Sequence, residues 1–307
     1  MNGLLLVDKP CGLTSFDVVR KVRRWCGTRQ VGHCGTLDPS ATGVLPVAVG
    51  SATRLVEYLM GGDKEYLATL RLGVVTDTQD GDGRILATHP FDNLDRASLE
   101  SAAAGFLGTI SQLPPMYSAL KRNGVPLYRL ARQGIDVERQ PRPVRIEAIE
   151  LLAFSPPLAT LRVTCGKGTY IRTLCHDLGQ KLGCGAHLAA LRRTRCGPFR
   201  IEDCHPLEQL ESIATAGGAL PLLACAAALP DWPALQVHEA ARNRLTNGVA
   251  PGIGEVDGHD GLVAGRLVRL LVGSELAAVA RFAPGGEGGR PGDFALEKVF
   301  PETISLR

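Results

Sequence analysis

Hydrophobic and polar positions change period several times along the 307-residue chain, and the changes predict a mixed fold. Leu4–Val7 is an unbroken apolar run, the pattern of a short buried strand. Val18, Val19 and Val22 fall on one face of a helix over Phe16–Trp25, with Thr14 or Ser15 placed to cap it. A second apolar run, Val44–Val49, reads as a strand, and Ser51 stands where it can cap a helix through Leu59. Over Glu65–Leu72, Tyr66, Ala68, Leu70 and Leu72 alternate with Glu65, Thr69 and Arg71, the period of a half-buried strand. Asp77–Gly83 reads as a polar loop and Ser98–Phe106 as a helix. Val125–Gln133 reads as a short amphipathic helix between basic strands. Val144–Phe154 and Leu158–Cys165 form a strand pair joined by Ser155-Pro156-Pro157. Ile171, Leu174, Leu178 and Leu182 then recur at helical spacing within Thr169–Leu182.

These elements follow no strict β-α-β rhythm. They predict an α+β fold with a mixed, largely antiparallel central sheet and flanking helices, rather than a doubly wound parallel sheet. Residues 216–229 are rich in Ala, Gly and Leu, and Pro230-Asp231-Trp232-Pro233 punctuates the chain after them. Two domains are expected, 1–230 and 234–307. The second is expected to be small and β-rich, with a helix at Glu239–Leu245 and Asn247-Gly248 after it. Its strands are expected at Leu267–Leu271, Ala277–Phe282 and Phe294–Phe300, separated by glycine-rich loops such as Gly285–Gly292. No internal repeat is present.

Composition narrows the class. Hydrophobic residues make up 45% and charged residues 21%, ordinary for a globular protein with a sizeable core. The longest apolar stretch, Ala219–Leu229, holds Pro221 and is far short of a membrane span. Leu4–Val7 is too short for a signal-peptide core, so a soluble, cytoplasmic protein without membrane contact is expected. The nine cysteines are odd in number and lack C-x-x-C spacing, which argues against a disulfide framework and a zinc ribbon. A net charge of +3 identifies no partner. Its distribution says more: basic residues cluster at 20–29, at 121–145 and at 192–200 (Arg192, Arg193, Arg195, Arg200). Either the clusters converge on a phosphate-binding face, or they are three separate solvated faces.

The stretch His33–Gly43 carries the most chemistry. Asp38 lies in a turn built from Gly35, Pro39 and Gly43, and a proline after it restricts its backbone. The ordinary reading is an Asp-Pro turn; the sharper one is a carboxylate held for catalysis. His33-Cys34 invites a thiol-nucleophile reading, but sequence neighbours seldom face each other. Gly166-Lys167 fails as a phosphate loop, with Leu161 and Gly168 at required glycine and hydroxyl positions. Thr78–His89 fails as a calcium loop for want of oxygen ligands at its first and last positions.

Six segments together resemble the TruB family of tRNA pseudouridine-55 synthases, in order, over residues 4–200. They are Leu5–Pro10, Gly32–Gly43, Asp63-Lys64-Glu65-Tyr66 with Gly73 and Thr76-Asp77-Thr78, Pro115–Lys121, Lys167–Arg172 through Asp177-Leu178-Gly179, and Leu191-Arg192-Arg193. The C-terminal part is similar, more loosely, to PUA-type RNA-binding domains. The resemblance implies isomerisation of uridine in the tRNA T-loop, by breaking the glycosidic bond, turning the uracil and rejoining it through C5. It implies base flipping and neither metal nor organic cofactor. It makes Asp38 the essential carboxylate and Arg172 its partner. It makes Tyr66 the ring that stacks on the uracil and Tyr170 a second aromatic near the sugar. His33 would fill the space the flipped nucleotide leaves, Lys9 would support the pocket, and Leu191 would form part of its wall. The expected partner is the tRNA T-arm, met by a monomer without protein partners. Cys34 departs from the family's small hydroxyl or methyl side chain and suggests thiol sensitivity. Two other readings stay open: an RNA-binding or RNA-folding module without catalysis, and a relative that modifies another RNA with partner proteins and a guide.

Overall fold

The structure is a computed structural model that describes residues 1–122, 124–285 and 292–304. Most of the expected 285–292 loop, namely 286–291, lies outside the described residues. The chain runs through β1 (Gly3–Lys9), α1 (Ser15–Trp25), β2 (Val31–His33), β3 (Thr42–Val49), α2 (Val56–Leu59) and β4 (Lys64–Leu72). A hairpin of β5 (Val74–Thr76) and β6 (Ile85–Thr88) follows, then α3 (Arg96–Ala104) and β7 (Gly108–Gln112). Next come the short hairpin β8 (Lys121–Arg122) and β9 (Val125–Pro126), α4 (Leu127–Arg132), β10 (Arg142–Ser155), β11 (Leu158–Cys165) and α5 (Ile171–Lys181). Then follow β12 (Ala186–Cys196), β13 (Phe199–Arg200), β14 (His205–Pro206) and α6 (Leu207–Thr215). The last part holds β15 (Ala234–Val237), α7 (Glu239–Thr246), β16 (Val256–Asp257), β17 (Leu267–Val272), β18 (Glu275–Phe282), β19 (Phe294–Val299) and α8 (Pro301–Ile304).

Ten strands form one sheet in the order β14-β1-β3-β12-β4-β11-β10-β7, with β2 also on β3 and β13 on β12. Only β1·β14 and β3·β12 are parallel, so the α+β, largely antiparallel expectation is met. A second sheet, β16-β15-β17-β18-β19, lies in the C-terminal part.

The large sheet parts beside β3. Thr42 and Gly43 pair with Arg192 and Arg193 of β12, whereas Val47–Val49 pair with Val31–His33 of β2. Between these pairings the carbonyl of Val44 accepts from the Arg193 side chain and that of Pro46 from the Cys34 amide. Pro46 has no N–H to give a ladder, and it sits where no ladder is needed on that edge. The loop between β2 and β3, which carries Asp38, occupies this parting.

The unbroken apolar runs have a direct cause. Leu5, Val7, Leu45, Val47 and Val49 face one core, against α1, α5 and α6. Leu4, Leu6, Val44 and Ala48 face a second core, shared with Leu55, Leu59, Leu271, Leu276, Val279 and Phe300. Side chains alternate across a strand, so β1 and β3 must be apolar at every step to serve both faces. At about 1.5–3 kcal/mol per fully buried large side chain, the second core joins the C-terminal sheet firmly to the back of the first. Lys298–Glu57 (2.8 Å) and Tyr58 to Glu297 (3.1 Å) add polar links.

Several boundaries differ from expectation. Thr14 caps α1 in a reciprocal box with Asp17, which leaves the Ser15 hydroxyl for another use. Ser51 caps nothing: residues 50–55 form a 3-10 turn ahead of α2, and Ser51 donates its amide to Asn2 Oδ1. Asp95, not a residue nearer Ser98, caps α3 and starts it earlier. Val125-Pro126 is strand, so α4 begins only at Leu127. Within the Ala-, Gly- and Leu-rich stretch Leu223 exchanges both main-chain hydrogen bonds with Leu4 and extends the sheet edge. The central strand β12 was not expected at all, nor were β7 and α6.

Candidate active site

Asp38 sits in a loop whose carbonyls from Gly35 to Pro39 all have donors. The carbonyls of Gly35 and Thr36 accept from Arg193 (3.1 and 3.3 Å) and that of Leu37 from Ser15 Oγ (3.0 Å). Ser15 Oγ also receives the Leu37 amide (2.8 Å). The Asp38 carbonyl accepts from Ala41, and that of Pro39 from both Gly12 (2.8 Å) and Lys9 Nζ (3.2 Å). Five consecutive carbonyls thus have donors from four separate places in the chain. Buried main-chain groups need such partners, and here meeting the need immobilises the carboxylate. Gly43 ends the loop at φ +101°, where an added Cβ would lie 2.2 Å from the Arg193 carbonyl.

Arg172, on the first turn of α5, meets Asp38 as the resemblance implies: its Nε lies 3.0 Å from Asp38 Oδ2. The guanidinium is 6% exposed and fully engaged. Nη1 reaches Asp80 Oδ2 (3.2 Å) and the Thr78 carbonyl (3.3 Å), and Nη2 donates to the Tyr117 carbonyl (2.7 Å). Asp80 was singled out only for a calcium loop that fails; the turn between β5 and β6 delivers it here. Tyr170 caps α5, and Gln112 of β7 clamps it, accepting from its amide (2.8 Å) and donating to its carbonyl (3.0 Å).

Asp38, Arg172 and Tyr170 line a cavity of about 300 Å³ with Tyr66, Leu191, Lys64, Lys167 and Arg193. Four cationic side chains reach its wall, and Asp38 is the one carboxylate on it among the described residues. An anionic polymer with a planar base suits that wall: the exposed Lys167 for phosphate, Tyr66 and Tyr170 for the ring, and one carboxylate for chemistry. A neighbouring cavity of about 540 Å³ opens past Tyr170 and Lys167 to Arg142.

Burial dominates the ionisation of the site. It raises the Asp38 carboxyl; Arg172 opposes the rise, and Asp80 adds to it. It pushes the Tyr66 phenol up to about 12, against the pull of Arg193, and raises that of Tyr170. It lowers the Lys9 ammonium to about 8, with the charge of Asp38 among those opposing. Lys9 is fully buried and bonds the carbonyls of Pro10, Leu13 and Pro39, so it braces the loop from below.

His33 stands apart from the cavity wall, at the end of β2, with its Nδ1 buried and unbonded. Burial and then Arg193 lower its pKa, which favours the neutral ring. Cys34 is fully buried and pushed up to about 12, which contradicts both the thiol-nucleophile reading and the expected thiol sensitivity. All nine cysteines are free thiols. In the third basic cluster two of the four arginines are engaged within the fold. Arg193 is 1% exposed, and Arg192 pairs with Asp8 through two bonds (2.8 and 3.1 Å). In the first cluster Lys21 and Arg24 share Glu211. Among the described residues no group of three or more His, Cys, Asp or Glu side chains is placed to hold a metal. No helix among them is long and apolar enough to cross a membrane.

Comparison with known proteins agrees with this geometry. The N-terminal domain of TruB family pseudouridylate synthases matches residues 23–171, and the tRNA pseudouridylate synthase B C-terminal domain matches 172–219. A tRNA pseudouridine synthase B of Syntrophotalea carbinolica is 47% identical over 300 residues, covering 98% of each chain. One of Geobacter sulfurreducens is 44% identical over 91% of this chain and 93% of its own. Among solved structures, a chain of a Cbf5-Nop10-Gar1 complex superposes with a TM-score of 0.75 at 29% identity, covering 98% of this chain and 86% of its own.

Proposed function

The chain belongs to the TruB family of pseudouridylate synthases, and on that premise we propose that it converts uridine 55 in the T-loop of tRNA to pseudouridine. It is an isomerase of tRNA uridine, as its relatives are named. The finer reading rests on one observation above the rest: a single carboxylate, Asp38, held rigid on a cationic, aromatic-lined cavity. A pure RNA binder has no use for a carboxylate turned toward a polyanion.

In this reading the target uridine leaves the stack and enters the cavity, and Tyr66 stacks on its uracil, a contact of about 1–3 kcal/mol. Ionised Asp38 either attacks the sugar or base, or takes a proton from the sugar. Arg172 keeps it charged and aimed, against the upward push of burial and Asp80. Tyr170 packs near the sugar, Leu191 walls the base, Lys9 braces the Asp38 loop, and His33, outside the cavity, fills the gap in the RNA. The detached uracil turns and rejoins through C5. Atoms balance without redox change or added water, so the isomerisation calls for no cofactor.

The C-terminal part, read as PUA-like, carries 8 Lys and Arg against 9 Asp and Glu from residue 234 onward, a net charge of 8 − 9 = −1. Phosphate affinity is therefore assigned to the catalytic part, with its exposed Lys167 and Arg142. The 47% likeness to a protein named as a tRNA enzyme, against 29% to a chain from a complex of three named proteins, supports reading the substrate as tRNA and the chain as acting without protein partners. The test is pseudouridine formation on an unmodified tRNA transcript by the native chain and Asp38→Asn. Product at one T-loop position from the native chain alone supports the reading. Tight binding without product from either protein overturns it.

A further inference from the structure

Among the described residues Arg193 is the largest fully buried side chain, and it has no carboxylate partner. Its main-chain partners are the carbonyls of Val44 (Nε, 2.8 Å), Thr36 (Nη1, 3.3 Å) and Gly35 (Nη2, 3.1 Å), and its one side-chain partner among the described residues is the Tyr66 phenol. A buried cation costs several kcal/mol unless its hydrogen bonds are satisfied, so the fold retains it at some expense. Each carbonyl it holds belongs either to the loop that carries Asp38 or to the strand edge beside it. On β12 it lies directly opposite Tyr66 of β4 in the antiparallel register and opposite Gly43 of β3 in the parallel one. Its own carbonyl approaches Gly43 so closely that no side chain fits there. The planar fork of guanidinium suits three divergent carbonyls, and an ammonium does not.

We propose that Arg193 is a positioning residue of the isomerisation, locking the Asp38 loop and the Tyr66 strand into one unit across the parting of the sheet. It touches no phosphate, because it is 1% exposed. Its hydrogen bond and charge also pull on the Tyr66 phenol, which places the guanidinium beside the ring's hydroxyl end. The cavity's carboxylate and its stacking ring are thereby referenced to one buried group. The proposal rests on the isomerase reading given above.

The test compares native chain, Arg193→Met and Arg193→Lys on an unmodified tRNA transcript. Product from the native chain secures the isomerase reading first, so failure there is distinct from failure of this proposal. Dissociation constants are measured from low to high salt, single-turnover rates at saturating enzyme, and melting temperatures for each variant. The expected result is binding within about twofold of native with the same salt slope, and a rate lower by about 100-fold or more in Arg193→Met. Arg193→Lys should melt near native and regain only part of the rate, since it keeps charge and volume but loses the fork. A salt slope reduced by about 0.7–0.9 with an unchanged saturated rate would make Arg193 a phosphate contact and overturn the proposal. Rates that return to native wherever a variant is fully folded would overturn it too. So would failure of both variants to fold, which would make Arg193 a fold determinant alone.

Discussion

Removing the Arg172 guanidinium leaves Asp38 and Asp80 as neighbouring carboxylates in a partly buried cleft. At an effective dielectric constant of about 20, a unit pair at 3.0 Å attracts by about 5 kcal/mol. The Asp80 pair at 3.2 Å contributes about the same. Desolvation offsets most of this, and the 40% exposure of the Asp38 side chain lets water screen that pair, so the net cost is about 1–3 kcal/mol. Arg172→Met should lose stability in that range near neutral pH, read by urea unfolding. The sign follows from linkage: burial already raises the Asp38 carboxyl, and losing Arg172 removes the main influence that lowers it. The folded state then binds protons more readily than the unfolded chain. The stability deficit therefore grows as pH rises through the carboxylate range and shrinks in acid. Activity requires the anion, so the acid limb of the single-turnover rate should move to higher pH. At neutral pH the rate should fall by about 100-fold or more, because a loosened carboxylate loses its geometry as well. Arg172→Lys should recover charge but not the four-acceptor arrangement, giving an acid limb near native and a reduced plateau. An acid limb that stays in place in Arg172→Met, with the plateau merely lowered, would refute the electrostatic account.

Asp80→Asn should do the opposite at the acid limb, moving it to lower pH by removing a like charge. The plateau should drop because Arg172 loses an anchor, and the same rate profile reads both effects. Gly43→Ala should lose about 3 kcal/mol or more in urea unfolding, since its φ and the Arg193 carbonyl leave no room for a methyl; a native-like midpoint would contradict that packing. Phe300→Ala, in the core shared by the two sheets, should cost about 3–5 kcal/mol. One cooperative transition at lower urea is expected, because the two sheets share that core. Separate transitions for the two parts in the native chain would count against it.

Legibility followed the range of the interactions involved. Helix α1, with its Thr14 cap, and β4, with its clean alternation, are specified by neighbours in sequence and were readable from them. The Asp38–Arg172 pair was readable only through resemblance, because 134 positions separate the two residues and no period links them. Strand β12 was hidden by its own chemistry: Arg192, Arg193 and Arg195 make a central strand look like a basic surface run. Ser15, Gln112 and Asp80 were missed as site residues for a related reason. Each acts through a hydrogen bond or ion pair to a distant partner, Leu37, Tyr170 and Arg172 respectively, and leaves no local signature.

The parting of the sheet beside β3 also bears on when the protein becomes active during its synthesis. The donor that secures the Asp38 loop comes from β12, about 150 positions further along the chain, with a separation of 158 between Arg193 and Gly35. Contacts that distant form late, after the loop-closure entropy between them has been met. A ribosome-bound chain that has emerged only through β11 has Asp38, Tyr66 and the first basic cluster, but neither Arg172 nor Arg193. Such a chain can meet RNA without being able to act on it. Translation order itself thus delays catalysis until β12 has been inserted, and truncated products of the gene should be inert toward uridine.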